Sequence, residues 1–199
     1  MPELLGFHRR LVTLRRRHDV HTLFIRELRE PLRVHRSAPF LFGFQRLTHN
    51  NRGAEVYGGS ALTVVRGDFD ALLAQDVSPE IRLAIGQARR YNAAVIACYP
   101  GFFASRNNYD IVLGRDAAGR SRSGVLEQSW RLGGATGAEI AALEIFRNQP
   151  GRDRVCASAI EIFGESPPPP MHATVYFCGN DPRVGRLTKY TVVETDAHP

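Results

Sequence analysis

The chain has 199 residues and a formal net charge of +6, from 26 Lys and Arg against 20 Asp and Glu. Apolar residues make up 43% and charged residues 23%, which excludes a collagen-like chain or one disordered throughout. No run approaches the roughly 18 apolar residues of a membrane-spanning helix, and Glu3, His8, Arg9 and Arg10 interrupt any secretory core near the start; a cytoplasmic protein is expected.

The charge is unevenly placed. Residues 1–52 carry 11 Arg against Glu3, Asp19, Glu27 and Glu30, and five of the seven histidines; the rest of the chain is close to neutral, with Lys189 its one lysine. Such a segment could neutralise nucleic-acid phosphates, but it has no zinc-ligand spacing, aromatic RNA-binding signature or two-helix reader. A solvated amphipathic helix, Leu4, Leu5, Leu11, Val12 and Leu14 against Arg9, Arg10 and Arg15–Arg17, is the simpler expectation, so no nucleic-acid partner is expected. Cys98, Cys156 and Cys178 are odd in number and widely spaced, which predicts reduced, buried thiols rather than a disulfide framework.

From Leu41 to Tyr57 the pattern is strand, polar turn at 49–53 and a second short strand; Gly58 and Gly59 then read as the opening of a loop before the β-branched run 61–66. Helices are predicted over 68–74 and 78–91, the second with Ser78 as N-cap, Pro79 at the first helical position and Glu80 in the first turn. Asn108 to Leu113 and Gly124 to Trp130 read as a hairpin around the polar turn 114–123, and a glycine-rich link, 132–137, leads to a helix over 138–146. Strands are expected at 154–163, 173–178 and 188–193, with a stiff linker at Pro167–Pro170. Interleaved hairpins and helices predict an α+β fold.

Asp110 and Glu127 fall on the two strands of the 108–130 hairpin, where antiparallel pairing can set them on one face. Ser129 and Arg131 follow Glu127 at spacings of two and four, so alternation extends that face. Two carboxylates and a hydroxyl form an oxygen-only set suited to Mg²⁺ with substrate phosphates, and Arg131 could hold a phosphate or carboxylate. The alternative is an ordinary solvent face, with the acids paired to Arg115 or Arg122. Gly133, Gly134 and Gly137 ahead of the helix admit a phosphate cradle or simply a tight strand-to-helix turn.

The run Glu127-Gln128-Ser129-Trp130-Arg131-Leu132-Gly133-Gly134 resembles the C-terminal signature of ATP-grasp enzymes, in which Glu-x-Asn-x-Arg ends a strand before a small-residue turn and a helix. Tyr109-Asp110-Ile111-Val112 is similar to the preceding acid-bearing strand of that superfamily. The segments Glu55 to Ser60 and Tyr99 to Phe103 resemble an uncharacterised bacterial family of ATP-grasp-like proteins. The resemblance implies an antiparallel sheet with helices packed on one face, with Asp110, Glu127 and Ser129 as Mg²⁺ ligands. It further implies Gly133 and Gly134 near the cofactor, Arg131 acting catalytically on the substrate, and ATP as cofactor. The implied chemistry is that of a carboxylate ligase, phosphorylating a small carboxylate to an acylphosphate; a second copy of the chain is an admitted partner. Ser129 departs from the Asn of the pattern, and the lysines and flap of a first lobe are not in the sequence. Residues 45–199 therefore read as a C-terminal lobe with little activity of its own, or as a non-catalytic binding module on that scaffold. Residues 1–44 lie outside the resemblance and read as a divergent or out-of-frame start.

Overall fold

The computed structural model describes residues 39–102, 104 and 106–194, together with the strand path of 21–28. Eight strands, β1 (His21–Leu28), β2 (Pro39–His49), β3 (Glu55–Arg66), β4 (Arg106–Arg115), β5 (Ser121–Ser129), β6 (Arg154–Phe163), β7 (Thr174–Asp181) and β8 (Gly185–Val193), form one sheet in the order β5-β4-β1-β2-β3-β6-β8-β7. Every neighbouring pair is antiparallel. Among the described residues three helices accompany it: α1 (Phe69–Leu73), α2 (Pro79–Cys98) and α3 (Thr136–Asn148). The class is α+β, as the order of elements predicts.

The helices divide between the two faces of the sheet instead of gathering on one. β2 carries Phe40, Leu41 and Phe42 in succession, so alternation must bury both faces. Phe40 and Phe42 join Val65, Tyr109, Ile111 and the buried face of α2, Ala84, Ile85 and Ala88. Leu41 joins Leu62, Val64, Val155 and Ala157 under Ala138, Ala142 and Phe146 of α3. A helix over one face alone would leave half of these side chains in water, at about 1.5–3 kcal/mol for each large one.

Local chemistry explains the helix starts. Asp68 accepts from the N–H groups of Asp70 (2.9 Å) and Ala71 (3.1 Å), and Ser78 Oγ accepts from Ile81 N–H (3.4 Å). The Glu80 carboxyl is held below its usual range by its own backbone N–H and by Ser78. Helix α2 continues to Cys98, beyond the expected end at 91. At its far end the sequence turns through Tyr99, Pro100 and Gly101, which stop it.

Three expectations change. β3 runs through Gly58 and Gly59 without a loop: the glycines are there because Thr48 and the Ala159 backbone approach too closely for a Cβ. β1 was not anticipated, yet it pairs with both β2 and β4 in mid-sheet, and the expected boundary at 44/45 falls inside β2. The cysteines are free, but Cys98 and Cys178 are exposed, one at the end of α2 and one on the edge strand β7, and only Cys156 is half-buried. The amphipathic helix expected over residues 4–17 lies outside the described residues, as does most of the basic arm expected over residues 1–52, residues 1–20 and 29–38.

Candidate functional site

Along β4, Asn107, Tyr109 and Ile111 turn toward α2, which puts Arg106, Asn108 and Asp110 on the α3 side. Tyr109 Oη donates to Asn92 Oδ1 of α2 (2.8 Å) and Asn107 Nδ2 donates to the same oxygen (3.0 Å), which holds the strand in that setting. Arg106 Nε donates to Glu139 Oε2 of α3 at 3.1 Å, and the Glu139 side chain is wholly buried. This ion pair ties the start of β4 to the helix on the opposite half of the sheet.

β4 and β5 bring three of the expected residues together. Asp110 stands directly opposite Glu127, and Asn108 opposite Ser129. Asn108, not singled out from sequence, is the centre of the group: its Nδ2 donates to Asp110 Oδ1 (2.8 Å) and to Ser129 Oγ (3.1 Å). A signal for it existed, since it lies two residues before Asp110 and so on the same face. The next register pair, Ile111 with Val125, leaves Leu126 as an extra residue, a bulge beside the acids of the kind that re-aims side chains. Glu127 is exposed, Asp110 half-buried and Asn108 buried.

The other expected residues fall elsewhere. β5 ends at Ser129, so the alternation meant to align Arg131 stops short; Arg131 is exposed and its guanidinium donates to the Leu132 carbonyl (3.0 Å). Gly133 and Gly134 lie at the head of α3, where Gly134 packs against the Tyr57 ring, and line a cavity reaching β8. Four strands, β1, β2, β3 and β6, separate β8 from β4. Trp130 turns to the α2 side and packs on Phe102 with ring centroids 4.5 Å apart.

The ordinary-hairpin alternative placed the acids on Arg115 or Arg122. Arg115 instead donates to the Gly119 carbonyl (3.0 Å), and Arg122 pairs with Asp116 in the turn (3.0 Å). Burial raises the Asp116 pKa, but hydrogen bonds from Arg120, Arg122 and the Ala118 N–H outweigh it and bring it down to about 2.

Among the described residues no three His, Cys, Asp or Glu side chains gather as a metal cage. Asp110, Glu127 and Ser129 nevertheless present only oxygen, and Mg²⁺ commonly takes one or two carboxylates and completes its shell with water and phosphate oxygens. The donor set fits that ion as an open site. A family model described as "Protein of unknown function (DUF3182)" matches residues 30–191. The chain belongs to that family. The match begins after β1 and ends within β8, so it takes in both carboxylates and the strands β2 to β7 but not β1, which pairs with β4. No curated protein and no solved structure matches the chain. No described helix is long and apolar enough to cross a membrane.

Proposed function

We propose that the chain binds a Mg²⁺-nucleotide on the α3 side of β4 and β5, and is the metal- and nucleotide-binding part of an ATP-grasp-like carboxylate ligase acting in the cytoplasm. The observation that carries the reading is the direct opposition of Asp110 and Glu127, with Ser129 joined to Asp110 through Asn108. In this reading Asp110 and Glu127 hold the cation and Ser129 adds a hydroxyl oxygen. Asn108 orients Asp110, and Arg131, exposed two residues beyond the end of β5 and off that face, is assigned no role at the cation. When bound, the cation neutralises phosphate charge during phosphoryl transfer.

The one lysine, Lys189, is on β8 and pairs with Glu161 (3.0 Å), so no lysine stands beside Asp110 and Glu127 to share the phosphate charge. Binding with little turnover by this chain alone is therefore expected. Calorimetric titration of the full chain with Mg²⁺ and a non-hydrolysable ATP analogue tests the reading. Saturable heat that Glu127→Gln weakens at least about tenfold, a loss of about 1.4 kcal/mol, supports it. No heat at millimolar nucleotide rejects it and leaves a non-catalytic binding module.

A further inference from the structure

We propose a second ligand site, independent of the Asp110–Glu127 pair: the cavity at the head of α3 binds a small organic anion through one carboxylate or phosphate group. The cavity has a volume of about 380 Å³, within the range that takes small ligands. Its floor is the first turn of a 13-residue helix whose N-cap is Ala135, and no side chain caps it. The leading N–H groups of such a helix attract an anion.

An independent feature points to a ligand there. Thr191 on β8 is 2% exposed, and its Oγ1 has no hydrogen-bond partner among the described residues. A buried hydroxyl left without a hydrogen bond is costly to the fold, and a ligand that completes the bond offsets that cost. The hydroxyl is aimed at the helix turn: a Cβ added at Gly137 would lie 2.8 Å from Thr191 Oγ1 and 2.9 Å from Tyr176 Oη. Two hydroxyls thus converge on the space that glycine leaves at the second residue of α3. Tyr176 reaches it because β7 bulges between Val175 and Phe177.

Lys189 lines the same cavity with Glu161. Its ammonium is 3.0 Å from the Glu161 carboxylate, and a lysine has three donors, so two remain for a ligand. Because Glu161 balances Lys189, the helix turn and the hydroxyls supply the net attraction, which suits a ligand of low charge. Ile140 and Ala159 give its body an apolar wall.

The test is calorimetric titration of the full chain with inorganic phosphate and, separately, with butyrate, a monocarboxylate with a short apolar body, at matched ionic strength. Saturable binding of one probe at millimolar concentration or below is expected, and the probe that binds identifies phosphate or carboxylate as the recognised group. Thr191→Val removes the hydroxyl and keeps the shape. It should lower that affinity about tenfold or more while leaving the unfolding temperature unchanged or raised, and Lys189→Met should also weaken binding. Glu127→Gln should leave this binding intact, which separates this site from the nucleotide reading. No saturable binding of either probe, or wild-type affinity in Thr191→Val, would overturn the proposal.

Discussion

Gly59 and Gly119 both have positive φ, +132° and +76°, yet substitution by Ala should separate them sharply. At Gly119, in the β4–β5 turn, a Cβ would meet nothing within 4 Å, so only the left-handed backbone cost of about 1–2 kcal/mol applies. At Gly59 the Cβ would stand 2.1 Å from the Ala159 carbonyl oxygen and 3.1 Å from the Ile160 Cα. Neither atom can withdraw, because β3 and β6 are paired through Gly59–Ile160 and Ser60–Ala159. Backbone strain and overpacking at about 1–3 kcal/mol each give about 4 kcal/mol in total. With a urea slope of about 2 kcal/mol/M, the midpoint should fall by about 2 M for Gly59→Ala and by less than about 1 M for Gly119→Ala. The fluorescence of Trp130, the one tryptophan, packed on Phe102, reports unfolding. Equal midpoints for the two variants would refute the claim that the β3–β6 approach, rather than φ, demands glycine at position 59.

Two further outcomes test the architecture. Leu41 and Leu72 are both fully buried, in the cores on opposite faces of the sheet, so Leu41→Ala and Leu72→Ala should each cost about 2–5 kcal/mol. In the double variant the costs should add within about 0.5 kcal/mol; a larger coupling in urea unfolding would mean one continuous core. The folded pKa of Asp116 lies below the unfolded value of 3.8, at about 2, so its ionised form stabilises the fold at neutral pH. That contribution should fade as pH falls from about 4 toward 2. Asp116→Asn should therefore lower stability at neutral pH and converge on wild type in acid, and the carboxyl carbon shift of Asp116 should titrate near 2.

Most elements were legible because their signals are local. The 154–163 strand, the Ser78 cap, and the β4–β5 hairpin follow from alternation, capping chemistry and a polar turn. What was missed depends on distant neighbours. Gly58-Gly59 carries the same letters as a loop, and only the approach of Thr48 and Ala159 reveals a strand. β1 is a short run, Thr22 to Ile25, set in an Arg-rich stretch, and its place between β2 and β4 is a property of the sheet. At the site, the opposition of Asp110 and Glu127 was readable from the hairpin. Alternation also placed Asn108 on that face, though its bond to Ser129 depends on register; the loss of Arg131 from the face was not readable, since it depends on where β5 ends.

The cluster on β4 and β5 is more than a solvated strand face. The same side of the sheet is apolar under α3, at Leu41, Val64 and Val155, and becomes polar at Asn108, Asp110, Glu127 and Ser129. Asn108 is buried there, with both protons of its amide used on its neighbours; burying an amide is costly unless its hydrogen bonds are made. Across from it, two carboxylates are directly opposed, an arrangement that costs about 0.2–1 kcal/mol between strands. A bound cation would reverse that sign. Glu127→Gln should therefore raise the urea midpoint of the metal-free chain slightly and at the same time abolish any stabilisation by Mg²⁺, the trade expected of a binding residue. If the substitution instead lowers the metal-free midpoint, Glu127 is held by a favourable contact in the fold, and the cation reading of the pair fails.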